Sequence, residues 1–110
     1  MEITFKNRRL EKLANDYNRS IRELGPKRAK LFIRRLNDLK LADNLEYVKN
    51  LPGKYHELVG DRKGQFACDL DHPYRLIFEP HENPVPIDEH GWKIWIEIKG
   101  VEIIEIEDYH

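Results

Sequence analysis

The sequence of 110 residues contains one cysteine, Cys68, so it cannot form an internal disulfide. A lone thiol fits a reducing compartment, and we expect a cytoplasmic protein. No apolar run approaches the ~20 residues that a membrane-spanning helix needs. No signal peptide is expected, because Met1–Ile3 opens directly into structure. Internal repeats and low-complexity segments are also missing. These absences argue against a disulfide-stapled scaffold, a membrane span and a repeat architecture.

Charged residues are abundant: 35% of the chain is Asp, Glu, Lys or Arg, and 40% is hydrophobic. With this length, the balance is typical of one globular domain, 1–110, that buries a single modest core. The formal net charge of −1 hides two unequal parts, because residues 1–66 sum to +7 and residues 67–110 sum to −8. A basic part can face phosphates. The acidic part suggests a basic partner or simply solubility.

The N-terminal part predicts a short strand and two helices. Glu2–Phe5 alternates as an edge strand does, and Asn7 is suited to cap a helix with an apolar stripe at Leu10, Leu13, Ala14 and Tyr17. After Gly25 and Pro26, a second helix is expected over about Lys27–Lys40. Its polar face carries a series of cations: Lys27, Arg28, Lys30, Arg34 and Arg35. Helices so close in sequence predict an antiparallel hairpin that packs on a sheet.

The sheet is predicted mainly from Lys54–Glu79, where three short segments with apolar alternation are separated by two turns. Strands spaced this closely pair antiparallel, because parallel pairing needs a crossover of a dozen or more residues. A short helix is expected before them, with a capping-box-like start at Asp43 and Glu46 and an end near Lys49.

An irregular loop with three prolines, Pro80–Gly91, follows these strands. Beyond it, the alternation of Trp92–Ile98 predicts another strand. Val101–Glu107 predicts a last strand, and its apolar residues face both ways, as in a central strand covered on both faces. The predicted fold class is therefore α+β, with an N-terminal helical hairpin packed on a small, mainly antiparallel sheet of about four or five strands.

The chain ends in residues with a chemical signature: Asp108, Tyr109 and His110. Together they offer acid, base and hydrogen-bonding groups without a metal ion. If this tail pairs near the first strand of the Lys54–Glu79 region, His56 enters the same space, and Arg62 and Arg75 can supply positive charge. A metal-free RNase needs these parts: a base for the 2′-hydroxyl, an acid for the 5′-oxygen and cations for the phosphate oxygens.

Three segments in combination resemble the HigB branch of the RelE/ParE toxin superfamily: Tyr55-His56-Glu57-Leu58-Val59-Gly60-Asp61-Arg62-Lys63-Gly64, Tyr74–Glu79 and the terminal Asp108-Tyr109-His110. The resemblance implies a small fold of the RelE or microbial-RNase kind. It implies the toxin of a type II toxin–antitoxin pair, which is a ribosome-dependent mRNA endoribonuclease (an mRNA interferase) that a cognate antitoxin holds silent. The expected partners are a HigA-like antitoxin, the ribosome and mRNA, with no cofactor and no membrane.

The resemblance also implies roles for individual residues. The catalytic set falls on His56, Asp108, Tyr109 and His110. The residues expected to bind the RNA phosphate are Arg62, Lys63 and Arg75. One position departs from the pattern, because this chain has Val59 where relatives often carry a lysine shortly before Gly-Asp-Arg. Arg62 or Lys63 can substitute for that lysine.

Two other functions are compatible with the sequence. One is a non-catalytic toxin of the ParE kind that poisons DNA gyrase, and the other is an interaction module that has lost cleavage. The loose spacing disfavours a metal site built from His72, His81 and His90 with Asp88 and Glu89. Taken alone, Arg75 fits a site cation and an ion-pair partner equally well, and Cys68 fits a buried, inert thiol.

Overall fold

Helices cover one face of a five-stranded sheet in the computed structural model, which describes residues 1–109. The chain runs through β1 (Glu2–Phe5), α1 (Arg8–Asn15), α2 (Tyr17–Leu24), α3 (Pro26–Leu41), β2 (His56–Glu57), β3 (Phe66–Asp69), β4 (Tyr74–Pro80) and β5 (Gly100–Asp108). The strand order is β1-β5-β4-β3-β2, with β1 parallel to β5 and the other neighbouring pairs antiparallel. The predicted α+β class is confirmed, and the sheet is mainly antiparallel.

The first arm of the helical hairpin is divided at Asp16. Asn7 Oδ1 accepts a hydrogen bond from Leu10 N at 3.0 Å and caps α1 as predicted. Asp16 leaves the helical conformation, and its Oδ1 accepts from Arg19 N at 3.1 Å, which starts α2. The break ends the predicted apolar stripe early, so that Tyr17 is 47% exposed.

α3 places an arginine among its apolar side chains. Arg35 is only 7% exposed, so the prediction that it lies on the exposed basic face is wrong. The reason is helical spacing, because Arg35 follows the buried Phe32 by three residues and precedes the buried Leu39 by four. Arg34, next to it in sequence, is exposed as predicted.

Two short segments differ from the predictions. The helix before β2 is a 3₁₀ helix, Leu45–Asn50, whose N-cap is Asn44 and which has no side-chain cap hydrogen bond. The predicted strand Trp92–Ile98 is instead an irregular segment ending in a 3₁₀ turn, Trp95–Glu97. Trp95 packs edge-on against Phe66, with 4.8 Å between the ring centroids. The buried Ile98 follows at the three-residue spacing of such a turn. The predicted loop Pro80–Gly91 is irregular from residue 81 onward, except for an isolated bridge between Ile87 and Lys93, whereas Pro80 is the last residue of β4.

The main core lies between the helices and the sheet, and it contains Leu13, Phe32 and Leu39 from the helices and Phe66, Leu76, Phe78 and Ile103 from the strands. The opposite face, which we call the open face, has a smaller apolar cluster of Leu58, Ala67, Ile77 and Ile104. β5 contributes to both clusters, which confirms the prediction of an interior strand that is apolar on both sides. No helix in residues 1–109 is long and apolar enough to cross a membrane.

Candidate functional site

The open face is where the polar side chains of β4 and β5 meet. Along β4, Leu76 and Phe78 point into the main core, so that Arg75, Ile77 and Glu79 point to the open face. The strand pairing sets Arg75 beside Glu107 and Glu79 beside Glu102. The open face therefore has a small apolar centre with charged side chains around it.

A β-bulge in β5 decides which residues reach this face. Ile77 pairs with Glu105 and Phe78 pairs with Ile103, so Ile104 is the extra residue between them. Before the bulge, odd-numbered residues such as Ile103 face the main core, and after it Ile106 does so. The one-residue shift turns Glu105 and Glu107 to the open face instead of burying them.

These two glutamates neutralise the two arginines that the sequence predicted to bind phosphate. Arg75 Nε donates to Glu107 Oε2 at 2.9 Å, and Arg62 Nε lies 3.3 Å from the same oxygen atom. Arg62 Nη2 also donates to Glu105 Oε1, and its Nη1 donates to Gln65 Oε1 at 2.8 Å. Glu107 is thus a carboxylate shared by two guanidinium groups.

A cleft of about 520 Å³ lies beside this ion-pair network. His56, Tyr74, Arg75 and Tyr109 are among the residues that line it. His56 is exposed, and its Nδ1 is 2.7 Å from the carbonyl oxygen of Lys54. A carbonyl oxygen can only accept, so Nδ1 carries the proton and the Nε2 of a neutral ring keeps its lone pair. That is the tautomer a general base needs.

The C-terminal tyrosine lies on the same cleft. Tyr109 N donates to Pro73 O at 3.0 Å, which holds Tyr109 against the β3–β4 turn. The Arg75 guanidinium stacks on the Tyr109 ring, with 3.7 Å from Cζ to the ring centroid. Tyr109 is still 59% exposed. Its hydroxyl therefore remains available to a ligand, while the ring helps to hold Arg75.

The other predicted site residues that the structure describes do not line this cleft. Arg62 lines a second cleft, which shares Arg75 and Tyr109 with the first and also includes Glu107. Lys63 and Asp108 are exposed and line neither cleft. Val59, at the position of the missing lysine, is 86% exposed at the rim of the second cleft. The prediction for His110 lies outside the described residues.

The turn that leads into His56 is held by the buried Arg35. Arg35 Nε donates to Asp69 O at 2.7 Å, and its Nη1 donates to Pro52 O at 3.3 Å. Gly53 lies directly against the Arg35 guanidinium and has a φ of 123°. A Cβ at this position would lie 2.8 Å from Arg35 Nε. Gly53 O in turn accepts from Asp69 N at 2.7 Å. The start of β2, and with it His56, is therefore fixed from the core side.

Two ionisable side chains under the site do not take part in acid–base chemistry. Burial raises the pKa of the Tyr55 phenol far above its usual range. Burial likewise raises the pKa of the Cys68 thiol. Both groups are therefore neutral core residues at physiological pH, and the predicted burial of Cys68 is confirmed.

Similarity to known proteins is found among solved structures. No protein-family model matches the chain, and no curated protein sequence matches it. Among solved structures, a chain of the YoeB–YefM complex from Staphylococcus aureus covers the whole chain and 97% of its own length, with 17% identity and a TM-score of 0.56. A heterotetrameric YoeB–YefM toxin–antitoxin complex from the same organism gives 19% identity, the same coverages and a TM-score of 0.52. The YoeB/ParE toxin from Agrobacterium tumefaciens gives 17% identity, full coverage of both chains and a TM-score of 0.51.

The chain has the fold of the YoeB/ParE toxins. At these identities the likeness is one of fold, and it extends over the full length of the chain. The side chains of the open face therefore have to be judged on their own chemistry.

Sequence reasoning missed Glu105 and Glu107 as members of the site. A signal for them exists, because Ile103 and Ile104 are adjacent apolar residues that interrupt the alternation of β5. An interruption of this kind in a strand indicates a bulge and a change of face. The glutamates that follow it are then expected on the same side as Arg75.

Proposed function

We propose that this protein is the toxin of a type II toxin–antitoxin pair, of the HigB branch of the RelE/ParE superfamily, and that it cuts mRNA on the ribosome. The observation that carries the proposal is the cleft lined jointly by His56, Arg75 and Tyr109. It brings together an imidazole, a guanidinium and a phenol hydroxyl from three separate parts of the chain, on the fold of the YoeB/ParE toxins.

The proposed chemistry uses no metal ion. His56 Nε2 takes the proton of the 2′-hydroxyl, whose oxygen then attacks the neighbouring phosphorus. As the bond from phosphorus to the 5′-oxygen breaks, Tyr109 or His110 gives a proton to the leaving oxygen, and a 2′,3′-cyclic phosphate remains. Arg75 and Arg62 stabilise the negative charge of the pentavalent phosphorane, with Lys63 as a further phosphate contact, and Asp108 orients the C-terminal set.

The proposed partners are a cognate antitoxin and the translating ribosome. Support for an antitoxin comes from the fold likeness, since two of the similar structures are YoeB–YefM complexes and one of these is a toxin–antitoxin heterotetramer. Support for a ribosomal RNA contact comes from charge, because residues 6–40 contain 12 Lys and Arg but only 4 Asp and Glu. Most of these cations lie on the helical layer, where they can approach phosphates.

The test is to map mRNA 5′ ends in a reconstituted translation reaction. The wild-type chain, His56→Ala and a version lacking His110 are compared, with His90→Ala as control. His90 is an exposed histidine on the Pro80–Gly91 loop and lines neither cleft. We expect ribosome-dependent cuts with the wild type and with His90→Ala, and a loss of about 10²–10⁴-fold for His56→Ala. Cleavage that persists in His56→Ala would refute the assignment of the base.

A second candidate function is that of a non-catalytic binding toxin of the ParE kind. One observation favours it, because both arginines predicted for phosphate are already paired with carboxylates in the free chain. On this alternative, the purified protein inhibits DNA supercoiling by gyrase and leaves mRNA intact on the ribosome. The two assays together decide between the candidates. A chain inactive in both is a binding module without either activity.

A further inference from the structure

The ion-pair network on the open face has the geometry of an occupied phosphate site. Arg75 Nε donates a hydrogen bond to Glu107 Oε2 at 2.9 Å, and Arg62 Nε lies 3.3 Å from the same oxygen atom. Carboxylate and phosphate oxygens accept hydrogen bonds from guanidinium groups in the same planar way. The Glu107 oxygen therefore lies where a non-bridging phosphate oxygen would meet both arginines.

The two arginines are also held by groups other than Glu107. Arg62 donates to Gln65 Oε1 at 2.8 Å, and Arg75 stacks on the Tyr109 ring. Their side chains are 29% and 13% exposed, and that of Glu107 is 21% exposed. An anion that replaced Glu107 would thus find both guanidinium groups already oriented and partly shielded from water.

We propose that Glu107 occupies the phosphate position of the Arg62–Arg75 pair in the free protein, and that RNA phosphate displaces it on binding. The inference rests on the proposed function, because RNA is the ligand that the arginines would take. Glu107 then sets the affinity of the site by competing with the phosphate for the same donors. Glu105 competes in the same way for Arg62 alone.

The test measures the binding of a fluorescein-labelled single-stranded RNA dodecamer by anisotropy over a range of salt concentrations. Glu107→Gln keeps the size of the side chain and removes its charge. Glu102→Gln is the matched control, since Glu102 lies in the same strand and is in no ion pair with the residues of 1–109. We expect roughly tenfold tighter binding for Glu107→Gln than for Glu102→Gln, on the scale of one charge-assisted hydrogen bond.

The salt dependence gives a second and sharper readout. Each additional contact with phosphate in single-stranded RNA steepens the slope of log K against log salt by about 0.7. Releasing Arg75 should therefore steepen the slope by about 0.7 in Glu107→Gln, where Glu105 still pairs with Arg62. Glu105→Gln should steepen it by up to about 0.7 through Arg62, and the double variant by up to about 1.4. Adding Arg75→Gln to Glu107→Gln should reverse most of the gain.

Equal affinities and slopes for Glu107→Gln and Glu102→Gln would overturn the inference. Weaker binding by Glu107→Gln would overturn it too, because Glu107 would then be a support and not a competitor. If thermal unfolding shows that Glu107→Gln is not folded, Glu105→Gln decides by the same criteria. The proposed function is tested separately by ribosome-dependent cleavage. The wild-type chain can therefore cut mRNA even if Glu107→Gln does not bind RNA more tightly, and Glu107→Gln can bind RNA more tightly even if the wild-type chain does not cut mRNA.

Discussion

The buried guanidinium of Arg35 allows a prediction about stability that is separate from activity. Replacing Arg35 with Met keeps most of the aliphatic volume beside Phe32 and Leu39 but removes both hydrogen bonds to main-chain carbonyls. The substitution leaves Asp69 O and Pro52 O without the donor they have in the wild type. It therefore measures the polar contribution of Arg35 with little loss of packing.

The expected magnitude follows from these two acceptors. A part-buried acceptor left without its donor costs about 1–3 kcal/mol. The contact at 2.7 Å should count more than the one at 3.3 Å. We therefore expect Arg35→Met to lower the free energy of unfolding by about 2–4 kcal/mol. That is a large part of the 5–15 kcal/mol typical of a domain.

Urea unfolding followed by circular dichroism measures this loss, and Arg34→Met is the matched control. Arg34 is the neighbouring residue on α3, and it is exposed. Its substitution should change stability by no more than about 0.5 kcal/mol, as is usual for a surface site. Equal effects of the two substitutions would refute the reasoning. Arg35 would then be a solvated surface cation after all.

Two further predictions concern the same part of the core. Gly53→Ala should cost about 1–3 kcal/mol in urea unfolding, because alanine is strained at φ of 123° and its Cβ would meet Arg35. Gly91→Ala is the control, because Gly91 also has a positive φ, of 82°, but a Cβ there meets no other atom, so that only backbone strain is added. Equal losses of stability in the two variants would exclude the clash between the new Cβ at position 53 and Arg35. Burial raises the folded-state pKa values of Cys68 and Tyr55. Their neutral forms therefore contribute fully to the free energy of unfolding at neutral pH, and this contribution is lost as pH rises above about 8.5. Native Cys68 should resist thiol reagents, and stability that stays constant from pH 7 to pH 10.5 would contradict its burial.

Periodicity predicted much of the fold because most of its elements bury one face. The Asn7 cap, the Phe66–Asp69 and Tyr74–Pro80 strands and the antiparallel pairing all follow from spacing and short turns. The predictions are wrong where a polar residue lies on the buried face of a helix, and where an alternating apolar segment does not form a strand. Arg35 is satisfied by main-chain carbonyls that come from distant segments. Trp95 is half-buried against Phe66 by a 3₁₀ turn and not by a strand.

The candidate site shows the same limit in a sharper form. The residue types of His56, Arg75 and Tyr109 are enough to suggest chemistry, and the strand alternation is enough to place Arg75 away from the core. Whether Arg75 is a free cation depends on which residue of β5 lies beside it. That register is set by the bulge at Ile104 and by the 19-residue connection between β4 and β5, and neither follows from alternation alone. Because the register puts Glu107 there, Arg75 is paired with a carboxylate, and the phosphate affinity that we propose for the site depends on Glu107 as well as on the two arginines.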